Sequence, residues 1–349
     1  MADGSFRADR ASAPAESERF QAGQETLSAE ELRRYRASPR RSIVQVSVTL
    51  LAYVATLAAM YAALHVSAWL AMVLVPPAAG LVVRLFVILH DCSHGAYFAS
   101  KRANEIVGRL CGLATFTPYA NWRRHHGLHH KAWNNLDRRD GGVDIYVLCL
   151  TVKEYLALSW RGRLLYRLQQ HPIVTQFLIP PFVFLVLFRL PFDTPKTWLR
   201  ERRSVLLTNL SLVALFGALV ACFGWQAVLL VHLPIMITAS IIGIWMFAVQ
   251  HRFEETEWVR HEDWSAARAA LNGTSYFKLP AVLQWFTGNI GFHHVHHLAP
   301  RVPNYHLQAC HELLKTRQRI CTLTIGDALR APNFVLWDEA RNRMVPFPS

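Results

Sequence analysis

Between Ser42 and Val83, and again between Ser204 and Gln250, the chain carries no Asp, Glu, Lys or Arg. Runs of that length exceed one membrane-spanning helix of about 20 residues and suffice for two. Each contains a readable turn, His65-Val66-Ser67 in the first and Gly224-Trp225-Gln226 in the second. Inside a bilayer every backbone N–H and C=O must be paired within the protein, which helices do segment by segment. The expected fold class is therefore all-α. It is a polytopic membrane protein with spans over about 43–64, 67–89, 204–223 and 226–249, interfacial or re-entrant helices, and a cytoplasmic histidine-rich cap.

A hydrophobic fraction of 52% with a formal net charge of +13 suits neither a soluble basic domain nor a disordered chain. The polar stretch before the first span, and the length of that span, argue against a secretory signal peptide. Residues 1–27 are expected to be a disordered polar tail and 28–41 a basic juxtamembrane segment, where Ser28-Ala29-Glu30-Glu31 has capping-box spacing. The membrane domain is expected over 42–325 and a C-terminal tail over 326–349. Six scattered cysteines form no CxxC pair, so neither a zinc ribbon nor an iron–sulfur site is signalled. The sequence shows no internal repeat and no glycine-rich nucleotide loop.

A third apolar stretch, Ile173 to Phe188, has only 16 uncharged residues, with Pro180-Pro181 at its centre. If it spanned, Lys196, Arg200, Arg202 and Arg203 would lie outside; the positive-inside rule prefers a re-entrant or interfacial segment over 173–191. With four spans, the stretches after Leu89, around His125–His130, after Gln250 and around His293–His297 all emerge on the cytoplasmic face, where they can converge.

Those stretches hold the histidines. His90 and His94 are four apart at the end of the second span, so on a helix both imidazoles leave one face. His126, His129 and His130 form an HxxHH pattern, and His293, His296 and His297 repeat it. Lone histidines such as His65, His171 and His232 read as structural residues. Clustered histidines would repel one another once protonated, and metal binding by neutral imidazole removes that difficulty. Eight box histidines exceed the six positions of an octahedral ion, so two metals are implied. Imidazole suits zinc, copper, iron or nickel, and residue type does not choose among them. His251, following the fourth span, is a ninth candidate ligand. His125 and His294 fall outside the HxxHH frame and are expected, with Asp91, Asp140, Asp144 and Asn289, to orient ligand imidazoles from behind.

"HDCSH", "HHGLHH" and "GFHHVHHLAPRVPNY" together resemble the three histidine boxes of the integral-membrane fatty acid desaturases, closest to the bacterial and plant-type acyl-lipid Δ12 and ω-3 branch. The likeness runs from about Val46 to His311 and includes "NNLDRRDGGVDIY" and "QHRFEETEW". It implies that His90, His94, His126, His129, His130, His293, His296 and His297 are the metal-binding and catalytic residues of a di-iron centre, with His251 as the additional family histidine. It further implies O2 as co-substrate, two electrons from a donor, and a cis double bond placed in an acyl chain, expected to be lipid-linked. An unactivated methylene offers no handle to acid–base or nucleophilic catalysis, so an oxidising cofactor is needed. No haem-binding HPGG motif occurs, so the expected donor is a separate ferredoxin or cytochrome b5-like protein. The basic clusters beside the spans read as topology signals and anionic-lipid contacts, and secondarily as a dock for an acidic donor, while nucleic acid is not an expected partner. The expected location is a bacterial inner membrane, with both termini and the metal site cytoplasmic. The competing readings are a di-iron hydroxylase or ketolase of a carotenoid or other lipid, a zinc-dependent membrane lipid hydrolase, which would leave most of these histidines unused, and a divalent-metal transporter, which the uncharged spans argue against.

Overall fold

Four long apolar helices dominate the computed structural model, which describes residues 26–141 and 149–348. They are Pro39–Leu64, Ala68–Ser93, Leu199–Phe223 and Trp225–His251, and each matches an expected span. Ser38 caps the first, accepting from the Arg41 amide, with Pro39 at the first helical position, where a missing N–H costs nothing. Pro76 and Pro77 cannot donate to the preceding turn, and the second span is accordingly interrupted at Leu74 between Ala68–Val73 and Val75–Ser93. Gly224, at φ +78°, closes the tight turn between the third and fourth spans in a conformation that side chains resist.

The second and fourth spans are 67% and 44% buried, against 22% and 11% for the first and third, so the inner pair carries the site and the outer pair meets lipid. Met60, Leu85, Ile88 and Leu89 pack with Val231 and Ile235 in the core between them. At Gly80 a Cβ would lie 2.6 Å from the Phe286 ring, so this glycine lets the short helix Ala281–Phe286 seat against the second span. Arg84, buried six residues before His90, donates to the Trp285 carbonyl, lies 4.2 Å from the Trp285 ring centroid and bonds Thr49 Oγ1 at 3.1 Å. The approach to the third histidine box is thereby tied to the span that supplies the first.

The 173–191 stretch is a wide π-type turn over Val174–Leu178, followed by Ile179–Leu185 and a 3-10 turn at Leu187–Arg189. Pro180 and Pro181 withhold the amides that an ordinary α-turn would use there. The helix Trp160–Gln169 before it is bent from it by 45°. Beyond it, Thr194 bonds Asn121 at 2.9 Å and Ser204 accepts from the Ala120 amide at 3.1 Å, which returns the chain to the helix of the second histidine box.

Two segments expected as tails are partly built into the fold. Leu27 is buried against Val295 and Leu307, and both halves of the Ser28–Glu31 capping box form. The 326–349 stretch is largely structured: the helix Ile325–Arg330 is followed by Leu336–Asp338, which pairs parallel with Leu150–Thr151 and antiparallel with Arg343–Val345. Trp337 is buried among Trp133, Leu136, Cys149 and Trp258. These strands are too short to show periodicity, and Leu150–Thr151 lies nearly 190 residues before its partner, so local sequence reads them as tail. Trp337→Ala should cost about 3–5 kcal/mol, seen as a lowered unfolding midpoint in detergent; an unchanged midpoint would contradict this packing.

Candidate metal centre

His90 lies in the last turn of the second span and His94 immediately follows that span; His251 is the last residue of the fourth span. The helix Tyr119–Ala132 carries His126, His129 and His130, and the six-residue helix His293–Leu298 carries the third box. Their ring nitrogens gather into two groups, within each of which the ligand atoms all lie within 4.8 Å of one another. The first group is His90, His94, His126, His130 and His296; the second is His129, His251 and His297. His293 joins the second, its Nε2 lying 3.2 Å from that of His251 and 3.1 Å from that of His297.

Each HxxHH box is therefore shared. His126 and His130 enter the first group while His129 enters the second; His293 and His297 enter the second while His296 enters the first. Within the groups, neighbouring Nε2 atoms stand from 2.9 Å (His296 to His130) to 3.3 Å (His129 to His297) apart. With metal–imidazole bonds of about 2.0–2.1 Å, ligand edges of about 2.9–3.4 Å follow for octahedral to tetrahedral coordination. The spacing is that of a coordination shell.

The tautomers agree. His251 Nδ1 donates to the Phe247 carbonyl at 2.7 Å, and His90 Nδ1 faces Asp91 Oδ1 at 3.4 Å, so each presents a bare Nε2 lone pair to its group. The Nε2 atoms of His90 and His94 are buried with no hydrogen-bond partner. Burial, then the neighbouring imidazoles, holds His94, His126, His130, His293, His296 and His297 well below the ordinary histidine pKa. Neutral, desolvated imidazoles with converging lone pairs fit a pair of cations and are otherwise poorly satisfied. Trp122 stacks on His126 at 4.5 Å and Trp133 meets His251 edge-on at 4.5 Å, closing the back of the site.

Of the expected orienting residues, Asp91 touches a ligand. Its other oxygen accepts from the amide and side chain of Asn304 at 2.7 and 2.8 Å, a partner that lay within the third motif but had no assigned role. Asn289, at φ +59°, does not reach an imidazole: it accepts from Gln284 and donates to the Asn304 carbonyl, supporting that residue instead. His294 turns away from the metal groups and pairs with His311 at 3.1 Å, its pKa pushed down to about 3 by burial. His125 also points elsewhere, 3.6 Å from Asp193. The side chain of Asp140 and the whole of Asp144 lie outside the described residues. Asp91→Ala should weaken metal retention about 10- to 100-fold; dialysis against a graded chelator followed by metal analysis measures it, and wild-type retention would exclude the orienting role.

An apolar cavity of about 410 Å³ opens beside the first group, with His90, His126 and His293 at one end and Val82, Met236 and Ala239 deeper among the spans. Asn121, His125 and Asp193 are among its few polar walls.

Four apolar helices, with nine imidazoles gathered at the end of an apolar cavity by the spans and the two short box-bearing helices, define a membrane protein whose histidine groups could hold metal beside a lipid-like substrate. The fatty acid desaturase family model matches residues 67–319. A fatty acid desaturase of Bacillus subtilis is 42% identical over 308 residues, covering 88% of this chain and 86% of that protein. The sn-1 oleoyl-lipid 12-desaturase of Synechocystis sp. is 28% identical, over 66% of this chain and 64% of its own length. The chloroplastic sn-2 acyl-lipid omega-3 desaturase (ferredoxin) of Helianthus annuus is 28% identical, over 73% of this chain and 58% of its own. The chain belongs to the fatty acid desaturase family, and it is an oxidoreductase of that family.

Proposed function

We propose that this desaturase inserts a cis double bond into a lipid-linked acyl chain, using O2 and two electrons, with one iron held by each histidine group. The observation that carries the reading is the convergence of ring nitrogens from nine histidines at one end of an apolar cavity. Bound iron supplies the oxidising power that an unactivated C–H bond requires.

The chain's own part is placement and exclusion of water. Val82, Phe86, Ala239, Gly243 and Phe247 line a path that hydrocarbon enters favourably and water does not. Asn121 and His125, at the polar wall, suit the carbonyl of an ester-linked chain. Asp91 and the Phe247 carbonyl keep His90 and His251 in the tautomer that offers Nε2.

The basic residues Arg40, Arg41, Arg200 and Arg203 stand at the same ends of the spans as the histidines, since Ser42 bonds the Tyr97 carbonyl at 2.5 Å and Ser204 bonds the box-bearing helix. By the positive-inside rule this supports a cytoplasmic metal site, a re-entrant 173–191 segment and both termini inside, in a bacterial inner membrane. Relatives named as ferredoxin-dependent support a separate ferredoxin-like donor.

The test is to express the chain in bacterial membranes and profile fatty acids by gas chromatography–mass spectrometry, with metal analysis of the purified protein. A new unsaturated acyl species and about two irons per chain are expected. An oxygenated lipid instead would move the assignment to a hydroxylase or ketolase, and one zinc with no iron would remove the redox reading.

A further inference from the structure

The helix Tyr119–Ala132 turns opposite faces to the metal groups and to solvent. Ligands His126, His129 and His130 are on the inner face. The outer face, at i, i+3, i+4 and i+7, is Arg124, Gly127, Leu128 and Lys131, with the two cations exposed and the residues between them half-buried. Among the described residues neither cation meets a carboxylate; Arg124 lies 4.6 Å from the Trp198 ring centroid. Gly127 has no packing reason to be glycine. A Cβ there would meet nothing within 4 Å, whereas at Gly108 or Gly112 it would strike Tyr119 or the Thr117 carbonyl. Yet a glycine inside a helix costs about 1 kcal/mol relative to alanine. A bare backbone patch between two cations without carboxylate partners, on the helix whose other side faces both histidine groups, is a place where another surface can come close. It is separated from the ligands by about one helix width, 10–12 Å.

We infer that this face docks a small acidic protein carrying single electrons. The inference rests on the desaturase reading: the substrate loses two hydrogens and thus two electrons, two further electrons and two protons arrive from outside, and O2 leaves as two waters. Two reduced carriers each lose one electron per double bond. Arg124 and Lys131 attract the acidic carrier, Leu128 gives it an apolar contact, and Gly127 lets it lie against the ligand helix.

The probe is a reduced [2Fe–2S] ferredoxin, set against dithionite with a small mediator as chemical reductant, on the full-length protein in membranes. For an Arg124→Glu/Lys131→Glu variant, the half-saturating ferredoxin concentration is expected to rise about tenfold or more, and the fall in rate with added salt expected of the native chain should disappear. Gly127→Gln should slow the ferredoxin-driven rate at saturation by holding the carrier off. Both variants should keep the native rate with the chemical reductant, which shows that metals and substrate path are intact. Direct binding of oxidised ferredoxin, measured by surface plasmon resonance, should weaken in parallel. Native ferredoxin dependence, binding and salt response in both variants would overturn the docking face. Absence of double-bond formation by the native chain with either reductant would overturn the desaturase reading, and the inference with it.

Discussion

His129→Ala is expected to abolish double-bond formation, with a loss of well over about 100-fold, and to lower the metal content from about two ions per chain to about one. His129 Nε2 lies 3.1 Å from that of His251 and 3.3 Å from that of His297, in the smaller group, which has no spare imidazole to replace it. His130→Ala should act on the other group: it removes one of five histidines there, and that metal should be weakened while the His129 group stays filled. The pair of variants thus separates two adjacent ligands in sequence into two different metals. Both lie outside the spans, so membrane insertion should survive. Metal analysis alongside product profiling reads the outcome; equal loss of both metals in both variants would mean that the two groups do not fill independently, and full activity in either would remove that histidine from the ligand set.

Gly243→Phe should change which acyl chains are accepted. Gly243 lies on the fourth span two turns before His251 and lines the cavity, and a Cβ there meets no atom within 4 Å. A benzyl group would project into space that the substrate's methylenes are proposed to fill. Each methylene that no longer fits costs discrimination of about 10-fold or more. The longest products should therefore drop by at least that factor relative to shorter ones, while metal content stays native. Competition assays with acyl lipids of graded length test this; an unchanged length profile would show that the chain does not run past Gly243.

Local sequence specified a great deal here because membrane helices and imidazole clusters are governed by rules that act at short range. A charge-free run must be paired internally, so the four spans were legible from composition alone, and Gly224 marked one turn between them. The gathering of the nine histidines was legible because their spacing puts several imidazoles on one helix face, and the three boxes resemble those of the family to which the chain belongs. The orienting residues were harder. Asp91 is adjacent to its ligand, whereas Asn304, its other partner, is 213 positions away. His125 and His294 sat beside ligands in sequence, yet a helix turns each residue about 100° from the last, enough to send them to Asp193 and His311 instead. Trp337 packs and pairs on one side with residues far back in the chain, and its strands of three residues are too short to leave a readable pattern.

The sequence by itself determined that imidazoles would gather at one end of four spans; tertiary structure decided which imidazoles share a group. On a helix, residues i and i+4 stand about 40° apart, while i+3 stands about 60° to the other side. That period makes His126 and His130 natural partners and sets His129 aside, and the same holds for His293 and His297 against His296. Whether the residue set aside joins a second group depends on what the fold brings opposite it. Here His251 at the end of the fourth span meets His129, and the second box meets His296 of the third, so two boxes of one pattern interlock in opposite senses.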